Sequence, residues 1–250
     1  MKLVDLYKCF ITLQLMALPL IATGRDQAER TWEIEGAWLS ANKNQISGYR
    51  QGSATTGWKK SSPNFRIEYW SENEDNWHVG WIVQPIALHY QEKLSSGLTI
   101  EGKTFASGER VSLNYDFHTF RLTANKQLLT LPRGGYLRGG GTVILRATGL
   151  KITGTSQTYA EQRYGIAPVF NIEARTPLTR GYDLFTRMDV FPSIGKNGLH
   201  DVFIGVRHQT GGQAGVDAGV RLFGGGYDSN KVGRYANRAG FQSIVVRFVF

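Results

Sequence analysis

The residues best suited to covalent chemistry are His208, Gln209 and Thr210, with Asp201 or Asp217 close by in the chain. A histidine base, a hydroxyl nucleophile and an orienting acid are the parts of an acyl-transfer or hydrolytic site. The nucleophile must lie within hydrogen-bond reach of its base, and spacing along the chain does not supply that. Catalysis by His208, Thr210 and Asp217 is therefore the lesser expectation. His200-Asp201 falls near a strand end, where a rim hydrolase would hold such a pair, but its spacing defines no motif. His78, His89, His118 and His200 are scattered without an H-x-x-H pair or a cysteine partner. No metal site is expected, and no residue pattern calls for a cofactor.

A larger pattern lies in the charges. Glu33, Glu35, Glu68, Asp116, Glu173, Asp189, Asp201 and Asp217 are balanced by Arg66, Arg138, Arg146, Arg175, Arg187, Arg207, Arg221 and Arg247. Every base in that set is arginine. The lysines beyond the first two dozen residues (43, 59, 60, 93, 103, 126, 151, 196 and 231) fall in loops or at strand ends. A solvated strand face would use lysine freely, whereas an enclosed face favours the planar, multi-donor guanidinium that pairs with carboxylates. Pairing also makes it least costly to enclose so many charges. These sixteen residues are expected to form a network that fills an interior and leaves no conducting pore.

The elements that must position them alternate with period two. Ile244, Val246, Phe248 and Phe250 point one way, and Ser243, Val245, Arg247 and Val249 the other. Similar alternation recurs around Trp32, Phe65, Val79, Val111, Val143, Ile172, Met188, Ile204 and Val220, giving ten strands, with eight as the alternative. Residues 77–90 change hydrophobic phase near Gln84-Pro85, which predicts a bulge, since proline cannot donate to a ladder. Long connectors at 42–62, 91–109, 152–164 and 224–238 contrast with short ones near 72–76, 176–182 and 209–214. Long loops on one rim, tight turns and both termini on the other, describe a closed up-and-down antiparallel β-barrel.

Alternation does not say which face is wet. The all-arginine charged face and the aromatics gathered at strand ends (Tyr69, Trp70, Trp77, Tyr136 and Tyr182; Tyr90, Tyr164, Tyr227 and Tyr235) favour a transmembrane barrel over a soluble one. Composition agrees: 30 glycines and 12% aromatic residues occur at a mean hydropathy of −0.27, too polar for a bundle of membrane helices. Residues 1–24, with Lys2 and Lys8 before an apolar stretch from Cys9 to Ala22, read as a secretory signal peptide. Residues 25–250 then form the barrel. Its one cysteine, Cys9, would leave with the leader.

The ending I-V-V-R-F-V-F, in which Ile244, Val246, Phe248 and Phe250 alternate up to a terminal aromatic, resembles the assembly signal of Gram-negative outer-membrane barrels. Size and strand count look like the eight- to ten-stranded members, and no subfamily is singled out. The resemblance implies export, escort by periplasmic chaperones, insertion by the outer-membrane assembly machinery and residence in the cell outer membrane. His208-Gln209-Thr210 is similar to the His-x-Ser pair of outer-membrane lipid A deacylases, but threonine replaces serine and the neighbouring residues differ. The net charge of +9 is concentrated in connectors, at Lys43, Arg50, Lys59 and Lys60 and at Lys231, Arg234 and Arg238. Those residues are candidates to meet lipopolysaccharide phosphates. Nucleic-acid binding has no motif behind it. A structural or surface-interaction role is expected. The alternatives are a narrow channel and a lipid A-modifying or rim hydrolase enzyme.

Overall fold

The computed structural model describes residues 29–48, 53–54, 61–191, 199–211, 214–227 and 235–250. The proposed leader lies outside them. Ten antiparallel strands form the wall: β1 Glu29–Gly48, β2 Ser61–Glu72, β3 in two segments Trp77–Gln84 and Ala87–Lys93, β4 Arg110–Leu131, β5 Gly135–Thr153, β6 Thr158–Thr179, β7 Tyr182–Phe191, β8 Leu199–Gly211, β9 Ala214–Tyr227 and β10 Tyr235–Val249. Each pairs with its sequence neighbours, and β10 returns to β1 from Glu33↔Val249 to Gly48↔Tyr235. Trp32 and Phe250 exchange backbone hydrogen bonds of 2.7 and 3.0 Å at the seam. The sheet therefore closes on itself as a barrel, and the upper parts of β3 and β6, residues 87–93 and 158–169, extend beyond their neighbours on one side.

Several expected connectors are strand. Only residues 154–157 separate β5 from β6 in place of the connector expected at 152–164, and β4 runs unbroken to Leu131. The stretch 91–109 contains a second, two-stranded sheet, Leu98–Ile100 with Lys103–Phe105. Its turn places Glu101 and Gly102 at positive φ, 46° and 77°, as a tight two-residue hairpin requires.

No bulge occurs at Pro85. Gln84↔Thr119 and Ala87↔Asp116 keep one register, and between them Ile86 and Phe117 exchange backbone hydrogen bonds of 3.2 and 2.8 Å. What changes there is the identity of the inner residues. Below Pro85 the outward side chains of β3 are Trp77, Val79, Trp81 and Val83. Above it, Ile86 and Leu88 are buried inside while Ala87 and His89 face out. β4 makes the same exchange: Val111, Leu113, Tyr115 and Phe117 point in at the top, followed on the same face by Thr119, Arg121, Thr123 and Asn125. Its outward row runs Ser112, Asn114, Asp116 and His118, then Phe120, Leu122 and Ala124. The barrel thus has an apolar exterior around a polar interior at the end holding the termini. Near the other end both polarities reverse.

The outer apolar band includes Ile166, Phe170 and Ile244, exposed at 74%, 65% and 70%. Leu137 to Leu145 on β5 spans the ~9–11 residues that a tilted strand needs to cross a hydrocarbon layer. Above the band, Leu88, Val111, Leu113, Tyr115, Leu150 and Ile152 form a buried core, capped by Leu98, Ile100 and Phe105 of the small hairpin and by Leu94 just before it. Glu109 ties that cap down: its carboxylate accepts the amides of Ala106 at 2.8 Å and Thr155 at 2.7 Å. Those bonds hold the Glu109 carboxyl below the usual carboxylate range.

Candidate functional site

Between the termini end and the apolar core, the lumen is filled by arginine and carboxylate. Asp201 on β8 accepts from Arg66 at 2.8 Å, Arg121 at 2.5 Å and Arg221 at 2.8 Å, three strands converging on one carboxylate. Glu68 accepts Nε of Arg66 at 2.7 Å, Nε1 of Trp70 at 3.0 Å and, across the lumen, Nη1 of Arg187. Glu35 takes Arg221 on both oxygens, and Asp217 takes Nε of Arg207 at 2.6 Å and Nε of Arg247 at 2.7 Å. Glu33 bridges Arg207 and Arg247 at 3.2 and 2.9 Å.

Aromatic rings space the guanidinium groups. The Arg247 guanidinium lies 4.9 Å from the Phe185 ring centre and 4.6 Å from that of Phe203, and Arg187 stacks 4.3 Å from Trp70. Gly205 leaves room for this packing, since a Cβ there would come within 2.7 Å of the Phe203 ring. The lattice adds little net stability, because desolvation offsets the Coulomb gain. It does tie together strands across the lumen, Arg187 reaching Glu68 and Arg207 reaching Glu33. Asn171, Thr142 and Arg121 close around Asp189 at 2.8, 3.0 and 2.9 Å.

Two of the sixteen expected charges sit differently. Asp116 faces out, because β4 has already passed into the region where polar side chains belong outside; Gly149, its cross-strand neighbour, lies against its carboxylate. Arg146 faces in, but no carboxylate pairs with it among the described residues. Its guanidinium lies 5.6 Å from the Phe117 ring centre, at the lower edge of the apolar core. The lattice instead includes Arg121, together with Asp183 and Glu72, which partner Arg175 and Arg138. Arg121 was legible in principle, since it keeps the parity of Val111 and Phe117. The change from apolar to polar at Thr119 hid that continuity.

The hydrolase candidates do not meet. His208 and Thr210 point out of the barrel while Asp217, fully buried, points in. His208 packs against Tyr182, ring centres 4.6 Å apart, with Nδ1 3.2 Å from the Gly181 carbonyl. His200 and Asp201 are likewise on opposite faces, as adjacent strand residues must be. Trp70 and Tyr136 also depart from a girdle role: both turn inward, Tyr136 donating to Glu173 at 2.9 Å. Trp77 and Tyr182 remain exposed at the first residues of β3 and β7, while Tyr164, exposed as well, lies seven residues into β6. Ile244, Val246, Phe248 and Phe250 form the outward row of β10. Arg50, Lys59, Lys60, Lys231 and Arg234 lie outside the described residues. Lys43 and Arg238 lie on β1 and β10, but their side chains are outside the description.

A cavity of about 180 Å³ opens at the termini end, beneath the lattice. His78, Tyr136, Arg138, Arg175, Arg207 and Gln209 contribute its polar wall, and Trp70 and Phe185 its apolar one.

The class these features define is a closed ten-stranded up-and-down β-barrel with an apolar exterior and a charge-filled lumen. Neither any family model nor any curated protein matches the chain in sequence. Among solved structures, similar folds include the translocator domain of the autotransporter NalP from Neisseria meningitidis, at 11% identity and a TM-score of 0.46, covering 97% of this chain and 96% of that one. Another is Ail, the attachment invasion locus protein of Yersinia pestis, solved in complex with the heparin analogue sucrose octasulfate, at 12% identity and a TM-score of 0.37, covering 89% of this chain and 99% of that one. The toluene transporter TodX of Pseudomonas putida shows 9% identity and a TM-score of 0.30, covering 90% of each chain.

Proposed function

We propose that the chain is an integral outer-membrane β-barrel protein with a closed lumen and a structural or surface-interaction role. The exchange of polar and apolar faces near Pro85, Phe117 and Phe120 carries this reading. A soluble barrel has no reason to turn its outside apolar over one band and polar above it; a membrane boundary does. In this orientation the termini face the periplasm, and the capped end, with its longer strands, faces the medium. Lys93, Arg110 and Lys151 then stand on the outer wall beyond the band, toward the capped end. Together with Lys43, Arg50, Lys59, Lys60, Lys231, Arg234 and Arg238 they would contact lipopolysaccharide phosphates. Lys93 and Arg110 are directly opposed across β3 and β4, a repulsive pairing that an anion between them would relieve. Export with a cleaved leader, chaperone escort and insertion by the assembly machinery belong to the same proposal.

Electrophoresis and planar bilayers test it together. The refolded protein is expected to shift mobility on boiling, to require detergent, and to give no stepwise conductance. Solubility without detergent would refute the membrane assignment, and stepwise conductance would refute the closed lumen.

A further inference from the structure

The cavity at the termini end has a surplus of donors at its floor and of acceptors at its mouth. In the floor, every oxygen of Glu33 and Glu173 already accepts a guanidinium or hydroxyl hydrogen. Polar atoms on the lining side chains are not all spent. A ring nitrogen of His78, Nδ1, and the Nε donor of Arg138 are buried without a hydrogen-bond partner. Arg175 directs Nε and Nη2 at Asp183, at 2.8 and 2.7 Å, and stays 28% exposed. His78 is held rigidly, its ring stacked 4.5 Å from Trp70, and Glu173 is 4.0 Å from its Nδ1, too far for a direct bond. Buried polar atoms with no partner, on side chains that line a polar cavity, call for an explanation, and a bound group is one. At the mouth, Glu29 is exposed, and Glu72, which takes Nη2 of Arg138 on one oxygen, is partly so.

We propose that this cavity binds a small zwitterion, a free amino acid or short peptide. Its carboxylate would enter toward His78, Arg138 and Arg175, and its ammonium would remain at Glu29 and Glu72. A planar carboxylate suits the guanidinium fork. The acids at the mouth disfavour a dianion such as phosphate. The cavity is smaller than the ~300–1,000 Å³ typical of drug-sized ligands, so it admits one or two residues. The assignment depends on the cavity alone; the membrane reading only says which compartment supplies the ligand.

Isothermal titration calorimetry of the full chain in detergent micelles tests this, with L-alanyl-L-alanine, its C-terminal amide and inorganic phosphate as probes. Saturable binding of the dipeptide is expected, weakened at least tenfold by amidation and by Arg175→Gln, with phosphate binding weaker still. His78→Asn provides a second variant, and both are checked for the folded barrel by the mobility shift on boiling. Absent dipeptide binding would overturn the proposal. So would equal binding of the amide, tighter binding of phosphate, or unchanged affinity in both folded variants. A protein that keeps its mobility shift but binds nothing would refute this site while leaving the barrel assignment intact.

Discussion

Glu68→Gln is the sharpest perturbation of the lumen. Glu68 is fully buried and serves Arg66 at 2.7 Å, Trp70 at 3.0 Å and Arg187 from the opposite wall. Removing one partner of a buried ion pair costs about 3–5 kcal/mol, because the remaining charge stays enclosed. Each guanidinium keeps a second acid here: Arg66 has Asp201 at 2.8 Å, and Arg187 has Glu173 at 2.7 Å. The glutamine can still accept from Trp70. The expected loss is therefore at the lower end, about 3 kcal/mol or roughly two decades in the unfolding constant. Urea unfolding in lipid vesicles, followed by tryptophan fluorescence, measures it, with Trp70 as a reporter beside the substitution. Glu74→Gln, in the exposed β2–β3 turn, is the control and should stay within about 0.5 kcal/mol. A Glu68→Gln loss below about 1 kcal/mol would mean that the lumen is hydrated enough to screen its charges, and the closed lattice would be wrong.

Further outcomes follow from the same geometry. Phe170→Arg, in the middle of the outer band, should cost about 2–4 kcal/mol in vesicles, and Gln162→Arg, on the same face above it, about 0–1, both read by urea unfolding. Phe105→Ala should loosen the cap locally: limited proteolysis would cut within 94–109 while the barrel core stays protected. The Glu109 carboxyl titrates lower in the folded chain than unfolded, so its contribution holds above the ordinary carboxylate range and fades as pH falls through the folded value. Amide exchange at Ala106 and Thr155 should accelerate over that acid range, and Glu109→Gln should abolish the pH dependence.

The strands were legible because parity survives through most of each strand, with register shifts only near Ala41, Gln127, Pro177 and Gln209 among the described residues. Ile244 to Phe250, Leu184 to Val190 and Val202 to Val206 keep their faces from one end to the other, so strand number and closure follow from alternation. What alternation could not convey is where the surroundings change. Pro85 marks an exchange of environment, yet in sequence it looks like a slipped register, because a bulge and a reversal of polarity both move hydrophobic residues to the other parity. Asp116 went to the lumen by the same confusion, and Arg121 was missed because its strand turns polar inside just where apolar residues had defined it. His208 and Asp217 look close in sequence, but β8 and β9 present them to opposite sides of the wall. The vestibule joins His78, Tyr136, Arg175 and Gln209 from four strands, a grouping that only the closed barrel creates.

The exchange of faces can be measured directly on β4. The only cysteine, Cys9, lies in the proposed leader, so single cysteines placed at 114, 118, 120, 122 and 124 can carry spin labels in protein reconstituted into vesicles. The account predicts labels at 120, 122 and 124 accessible to oxygen and shielded from a water-soluble nickel chelate, with the reverse at 114 and 118. Uniform access to the chelate along the whole outward row would contradict it.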